Sequence, residues 1–424
     1  MYSRKEQYEK DPEKSFNGFL HEKNLDFMAI DLFTASTWKC KVFLLSHHHT
    51  DHMQGLREFV SELHRSTDKF IYTSSLTASY LEHTYSVDPK KIESLPFNKS
   101  FVVYTLPDGS DVTVTCTPAG HCPGSVMFVI EYHNKRILYT GDFRMNLSEF
   151  KESQRYLIQP NGSCKEIDSL YIDSTFALPN KMPHRDQSQD VILKVAEEWL
   201  IDATSNRKII IDIHSCIGGE HLFVSLSKAF KTKIAVHQDE FNKFYDNITE
   251  LRPYFKVVND ISDESDWLIH ACRTNRMRCQ DKKGDFQIRM IRPCALGFFR
   301  NYFSNNEKII NGVPCVELKG GRGSLRSFFK IYYSQHSSLE ELRDIVKFVA
   351  PSNVYLNTVY RGHEDTMKAA LLISESNSKS KKSLESGDGV KIGVQNGCNS
   401  SIDEYYKSKR RRTDILKTLN LLDD

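Results

Sequence analysis

The sequence lacks any apolar run approaching the roughly 18 residues that a membrane-spanning helix requires, so no span is expected in its 424 residues. It also lacks an appreciable net charge: 57 Lys and Arg against 55 Asp and Glu leave +2. The opening stretch MYSRKEQYEKDPEK has no apolar core of the kind a secretory leader carries, so the expectation is an intracellular protein. No internal repeat is visible, which excludes solenoid and collagen architectures. The ten cysteines are scattered, and a reducing compartment favours free thiols or metal ligands over disulfides. With 39% hydrophobic and 26% charged residues the chain is globular rather than wholly disordered. At about 150 residues per domain it has length for two or three cores.

The small net charge hides an asymmetry. Residues 271–330 hold thirteen Lys or Arg against four acids, a local +9, so the remainder carries −7. A basic segment on a mildly acidic protein suits a polyanionic partner. The first 24 residues are polar, and from residue 374 onward the chain turns rich in Ser, Lys, Gly and Asn. Such compositions bury too little apolar surface to offset ordering entropy, so both read as flexible ends. Lys407-Ser-Lys-Arg-Arg-Arg412 in the second has the form of a nuclear localisation signal.

Between these ends, short β-rich runs alternate with helical patterns. Strands are predicted over 41–45, 70–73, 101–105, 112–116, 126–130 and 137–139, and again over 209–213, 233–236, 328–333 and 354–356. Helices are predicted over Met53–His64 and Gln189–Ile201, giving an α/β layered class.

The chemistry-bearing residues stand just beyond the strand ends. KVFLL runs into Ser-His-His-His-Thr-Asp-His (46–52), VTVTC into Pro-Ala-Gly-His-Cys-Pro-Gly-Ser (118–125), and ILY into Thr-Gly-Asp-Phe-Arg (140–144). SLYI leads to Asp173, and FFKIYY to Ser-Gln-His-Ser-Ser (334–338). Open α/β sheets place active sites beyond the carboxyl ends of their strands. His47 and His49, two apart in extended chain, point the same way, and Asp51 and His52 open the following helix. Imidazole with carboxylate, and no thiolate, suits zinc or manganese in an open catalytic site. Asp142 could bridge two ions about 3.5–4 Å apart, a spacing suited to phosphodiester cleavage.

His47-x-His49-x-Asp51-His52, then His121, then Asp142, resembles the metallo-β-lactamase superfamily. Asp173 in YIDSTF and His336 in QHSS resemble the added motifs of its β-CASP branch, within the group of DNA cross-link-repair nucleases. The resemblance implies an αββα sandwich (25–178 and 328–373) interrupted by a β-CASP insert (179–327). It implies one catalytic Zn2+ on His47, His49, His121 and Asp142, and a weaker Mg2+ or Mn2+ near Asp51, His52 and Asp142. Asp51 would orient the attacking water, and His336, held by Asp173, would protonate the leaving oxygen. Ser337 and Ser338 are candidate hydrogen-bond donors to a phosphate. A structural Zn2+ in the insert would use His237, His270, Cys272 and Cys279, with Cys294 as the rival fourth ligand. Cations of the basic segment, up to KGGRGSLR (319–326), would face the cleft and hold the phosphate backbone. Phe298, Phe299, Tyr302 and Phe303 are either core or stacking platforms for unpaired bases.

RNA-cleaving members of the branch usually carry a further His where this chain has Asn357, Thr358 and Val359, so DNA is the expected substrate. Members that trim 5′ ends tend to carry Lys in an Ile-Gly-Lys-Glu stretch; here it is Ile217-Gly218-Gly219-Glu220. The implied function is a monomeric nuclear endonuclease for hairpins, overhangs and single/double-strand junctions, with 5′ exonuclease activity, in double-strand-break repair by end joining. The implied partners are DNA and the DNA-dependent protein kinase and DNA ligase IV complexes. An RNA-processing nuclease and a silent nucleic-acid-binding scaffold are the alternatives.

Overall fold

The computed structural model describes residues 9–178, 182–201, 207–213, 217–258, 267–273, 287–295, 298, 307–319 and 326–372. Three sheets organise them. The first is β1 (Met28–Ile30), β2 (Val42–Leu44), β3 (Phe70–Thr73) and β4 (Ile92–Ser94), in that order and all parallel. The second runs β18 (Asn353–Leu356), β9 (Ser169–Ile172), β8 (Lys135–Tyr139), β7 (Val126–Tyr132), β6 (Asp111–Pro118) and β5 (Ser100–Thr105). The two pack face to face. Met28, Ile30, Val42, Leu44 and Tyr72 meet Val112, Val114, Val126, Phe128, Ile130 and Tyr139 in one buried cluster.

Helices cover the outer faces. Phe43, Leu45 and Ile71 turn to α1 (Leu56–Arg65) and α2 (Ser75–Tyr85), burying Phe59, Leu63, Ala78 and Leu81. Met127, Val129, Leu138, Leu170 and Ile172 turn to α3 (Leu147–Ser153), α6 (Leu339–Val349) and α7 (Glu364–Leu372). The result is the expected αββα sandwich. Strands buried on both faces read as continuous apolar runs, which is why KVFLL and MFVI were legible.

The third sheet, β12-β11-β13-β10-β14-β17-β16-β15, belongs to the insert. Its strands are β10 (Arg207–Ile213), β11 (Ile234–His237), β12 (Phe255–Val258), β13 (Ile269–Arg273), β14 (Gln287–Cys294), β15 (Glu307–Ile310), β16 (Val313–Lys319) and β17 (Arg326–Tyr332). α4 (Arg185–Leu200) and α5 (Glu220–Phe230) pack on it. The predicted strand 328–333 falls here: β17 pairs parallel with β14 and antiparallel with β16, rather than rejoining the sandwich at 328. The chain returns to the sandwich only after Tyr332, through the loop that carries His336.

α1 begins three residues later than predicted because Gly55 caps it with φ +80, a conformation that favours glycine. A Cβ at Gly55 would lie 2.8 Å from the Phe33 carbonyl carbon and oxygen, so the close approach of this turn to β1's exit also requires glycine. His52 and Met53 therefore sit in the loop before the helix. No described helix is long and apolar enough to cross a membrane.

Phe43 anchors the strand that delivers the histidine loop, with ring centroids 5.8 Å from Phe33 and 4.3 Å from Phe59. Phe43→Ala should lower stability by about 3–5 kcal/mol, the usual cost of emptying a buried phenyl site; urea unfolding followed by circular dichroism measures it.

Candidate metal centre

The carboxyl ends of β2, β6, β8, β9 and β17 deliver His47, His49, His121, Asp142, Asp173 and His336 to one rim. Among the described residues, three overlapping donor groups have ligand atoms within 4.8 Å of one another: His47 with His49 and His121, His47 with His52 and Asp142, and His121 with Asp142 and His336. His49 Nδ1 lies 3.1 Å from both His47 Nε2 and His121 Nε2. Asp142 Oδ2 lies 3.8 Å from both of those Nε2 atoms. A tetrahedron with bonds near 2.0–2.1 Å has edges of roughly 3.3 Å. His47, His49 and His121 suit one such ion, with Asp142 beside two of them.

Each imidazole has its second nitrogen committed elsewhere, which fixes the atom it turns to the centre. His49 Nε2 donates to the Ile217 carbonyl at 2.7 Å, leaving Nδ1. His121 Nδ1 donates to the Gln335 carbonyl at 2.9 Å, leaving Nε2. His47 Nδ1 lies 3.0 Å from Ser46 Oγ, which itself donates to Asp31 Oδ2 at 2.6 Å. His52 Nδ1 donates to the same Asp31 Oδ2 at 2.8 Å. Burial pushes His47 and His121 well below the usual histidine range, so both stand as neutral ligands.

The second donor group centres on His52 Nε2, 3.2 Å from Asp142 Oδ2 and 3.8 Å from Asp51 Oδ2. Asp51 lies outside that group and is open, its side chain 71% exposed, while Asp142 is 14% exposed. Burial opposes charge on Asp142, but His52 and His336 prevail and hold its carboxyl well below the usual range. His336 Nδ1 lies 2.8 Å from Asp173 Oδ2 and 3.9 Å from Asp142 Oδ2. Burial would lower its pKa, but Asp173 and Asp142 raise it to about 9, so it carries a proton at neutral pH. Arg144, fully buried, donates to the His336 carbonyl at 2.7 Å and pairs with Glu341 at 3.1 Å, fixing the loop that presents this ring.

Several expectations change. Ser337 and Ser338 are buried, and their hydroxyls meet backbone groups of the protein itself. Ser337 donates to the Phe143 carbonyl at 3.2 Å, and Ser338 caps α6 by accepting from the Glu341 amide at 3.3 Å. They shape the loop rather than meet a phosphate. Phe298 is core, its ring 6.2 Å from Tyr332; Phe299, Tyr302 and Phe303 lie outside the described residues.

The described cations of the basic segment serve the protein itself. Arg289 stacks on Trp199 and Phe329, Arg292 pairs with Asp212 at 2.7 Å, and Lys308 pairs with Glu317 at 3.6 Å. The stretch 320–325 lies outside the described residues.

In the insert, the His237 and His270 rings are 5.1 Å apart. His270 Nδ1 donates to the Ala235 carbonyl at 2.9 Å, and its Nε2 is buried without a hydrogen-bond partner, as a ligand atom would be. Cys272 follows on β13; its side chain and all of Cys279 lie outside the described residues. Cys294 is removed from this pair. Ile211 of β10 faces both Ala271 and Ile291, so Cys294 is two strands across and four residues along, about 10 Å by 13 Å.

Sequence reasoning missed Asp31. It follows a three-residue strand and sits at φ +53, accepting from the Ser46 amide, Ser46 Oγ, Tyr139 hydroxyl and His52. The signal was present, since Asp31 also follows a strand, but MAI is too short to register.

A fold of this layering with this donor set defines the class, and comparison with known proteins agrees. A family profile described as "Beta-lactamase superfamily domain" matches residues 34–211, and one described as "DNA repair metallo-beta-lactamase" matches residues 220–362. The chain belongs to the metallo-β-lactamase superfamily, in its DNA-repair branch. It is 30% identical over 367 residues to protein artemis of Mus musculus, covering 81% of this chain and 48% of that protein. It is 30% identical over 315 residues to 5′ exonuclease Apollo of Gallus gallus (74% and 58%). It is 26% identical over 334 residues to DNA cross-link repair protein SNM1 of Arabidopsis thaliana (77% and 62%). The chain thus spans about half the length of the artemis proteins it matches.

Loss of a carboxylate behind metal-bound histidines typically weakens metal binding 10- to 100-fold. Asp31→Asn should do so while unfolding stays cooperative; titration against a chromophoric chelator measures it.

Proposed function

We propose that the chain is a metal-dependent DNA nuclease. The observation that carries this reading is the gathering of His47, His49 and His121 within 4.8 Å of one another, with Asp142 beside His47 and His121 and the His336–Asp173 pair alongside. The names of the artemis, Apollo and SNM1 relatives support it.

His47, His49, His121 and Asp142 would hold a zinc ion, and Asp51, His52 and Asp142 a weaker magnesium or manganese; when bound these would supply charge neutralisation at the phosphoryl oxygens and a more acidic water. Asp51, exposed at the mouth, orients the attacking water. His336 donates a proton from Nε2 to the leaving oxygen, while its Nδ1–H stays on Asp173, which also accepts from Thr175.

The finer reading draws on the relatives. The substrates are hairpins, overhangs and single/double-strand junctions, cut endonucleolytically and trimmed from 5′ ends, in double-strand-break repair by end joining in the nucleus. The chain acts as a monomer alongside the DNA-dependent protein kinase and DNA ligase IV complexes. DNA is favoured over RNA because Asn357–Val359 bring no imidazole beside Asp173; the Thr358 carbonyl there accepts from Ser174 Oγ at 2.6 Å. Endonucleolytic cutting is favoured over 5′ trimming because the turn reads Ile217-Gly218-Gly219-Glu220, with no lysine. His237, His270, Cys272 and Cys279 hold a structural zinc, in an insert spanning 179 to Tyr332.

Asp51→Asn with His52→Ala should abolish cleavage of end-labelled hairpin DNA without unfolding the protein; full activity in that variant would refute the mechanism. His336→Asn should lower kcat about 10²- to 10⁴-fold, the usual worth of a positioned general acid, with metal content unchanged by mass spectrometry. His270→Asn should release one zinc equivalent and keep the catalytic one; a protein that loses none contradicts the structural site.

A further inference from the structure

Residues 9–16, expected from composition to be part of a flexible end, are instead stitched to the loop 357–361 between β18 and α7. The Asp11 amide donates to the Val359 carbonyl at 2.7 Å, the Arg361 amide to the Glu9 carbonyl at 2.9 Å, and the Phe16 amide to the Asn357 carbonyl at 3.2 Å. The hydroxyl of Ser15, itself buried, accepts from the Val359 amide at 2.9 Å and donates to the Val359 carbonyl at 3.4 Å. Lys14 pairs with Glu364, the first residue of α7, at 3.2 Å. Phe16 anchors this strap, its ring 5.1 Å from Tyr139 and 5.6 Å from Tyr171. Backbone groups of a loop outside the three sheets thereby find partners.

The same loop backs the His336–Asp173 pair. The Tyr360 hydroxyl donates to the Thr175 carbonyl at 2.7 Å. Ser174 Oγ accepts from the Thr358 amide at 2.9 Å and donates to the Thr358 carbonyl at 2.6 Å. Thr175 in turn aims Asp173. Its amide and hydroxyl donate to Oδ1 at 3.0 and 2.7 Å, leaving Oδ2 for His336 Nδ1 at 2.8 Å. Ser15, Val359, Tyr360, Ser174 and Asp173 are all buried, and a close-packed interior passes a displacement on rather than absorbing it.

We propose that Ser15 and Tyr360 are positioning residues for the proton-donating pair: the strap holds the loop 357–361, and the loop holds Asp173 and with it the His336 ring. The proposal rests on the nuclease reading and deepens it. When the bond from phosphorus to the leaving oxygen breaks, that alkoxide takes the proton from His336 Nε2. A misplacement of about 1 Å caused far from the chemistry can cost about 10²-fold in rate. A leaving group that is stable as an anion needs no such proton, so its departure is indifferent to the strap.

The test compares Ser15→Ala and Tyr360→Phe with the wild-type chain on two diesters. One is end-labelled hairpin DNA, which expels an alkoxide; the other is bis(p-nitrophenyl) phosphate, which expels a stable phenolate. Each variant should lower kcat on DNA about 5- to 50-fold with KM and metal content unchanged, and hydrolyse the activated diester near the wild-type rate. In a His336→Asn background neither variant should lower kcat on DNA further, since both act through that ring. Tyr360→Phe, which removes one oxygen atom, serves if the Ser15 variant does not fold. Equal losses on the two substrates, a full additional loss beside His336→Asn, or wild-type kcat on DNA in both variants overturns the positioning role alone. Wild-type protein that hydrolyses neither diester overturns the nuclease reading, and the strap's role with it.

Discussion

The centre depends on one buried carboxylate. Asp31 binds no metal itself, yet its two oxygens gather the Ser46 amide and hydroxyl, the Tyr139 hydroxyl and His52 Nδ1. Through Ser46 it fixes the orientation of His47, and directly that of His52, so the two donor groups share one support. Donor atoms held 3.1–3.8 Å apart by such supports are preorganised for an ion. The positive φ at Asp31 is the local cost of that arrangement, tolerable for a short polar side chain. Burial then keeps His47 and His121 neutral while the Asp142 carboxylate stays charged, which is the protonation pattern a metal requires.

The sandwich does not complete this support alone. His49 donates to the carbonyl of Ile217, and the side-chain amide of Gln335 donates to the carbonyl of Gly218, both in the insert turn before α5. Gln335 also accepts from His121 through its own carbonyl. The turn has no slack: Gly218 sits at φ +121, and a Cβ there would fall 2.4 Å from the Gln335 side chain. Two of the four residues proposed for the first centre, His49 and His121, are therefore oriented by contacts with the insert turn or with the loop residue that grips it.

Legibility in the sequence tracked burial and strand length. Strands such as 126–130 and 209–213, apolar on both faces, announced themselves, and the ligands after them came with the strands. Of the three-residue strands β2 did, within KVFLL, but β1 and β4 did not, and Asp31 was lost with β1. Nor did β13, where IHACR mixes polar and apolar residues. Residue type pointed to Ser337 and Ser338 as phosphate donors, but both hydroxyls are consumed by the loop and by the cap of α6. Strand-end position cannot reveal which partner a hydroxyl finds. Cys294 failed for a topological reason, since β10 lies between β13 and β14 and only pairing order reveals that.

Of the thirteen cations in the basic segment, four have side chains among the described residues. The +9 segment suggested a cationic face, yet Arg289 lies against Trp199 and Phe329, and Arg292 against Asp212 and Phe328. Guanidinium groups stack and pair well when partly desolvated, so a local excess of arginine can record the packing of an open sheet as readily as a polyanion site. Cationic side chains beside the metal centre are sparse among the described residues. Arg144 and Arg185 are buried, the first on the His336 carbonyl and Glu341, the second 3.6 Å from Glu149. The described rim of the centre is thus lined by imidazole and carboxylate groups, and these two guanidiniums are spent on holding it in shape.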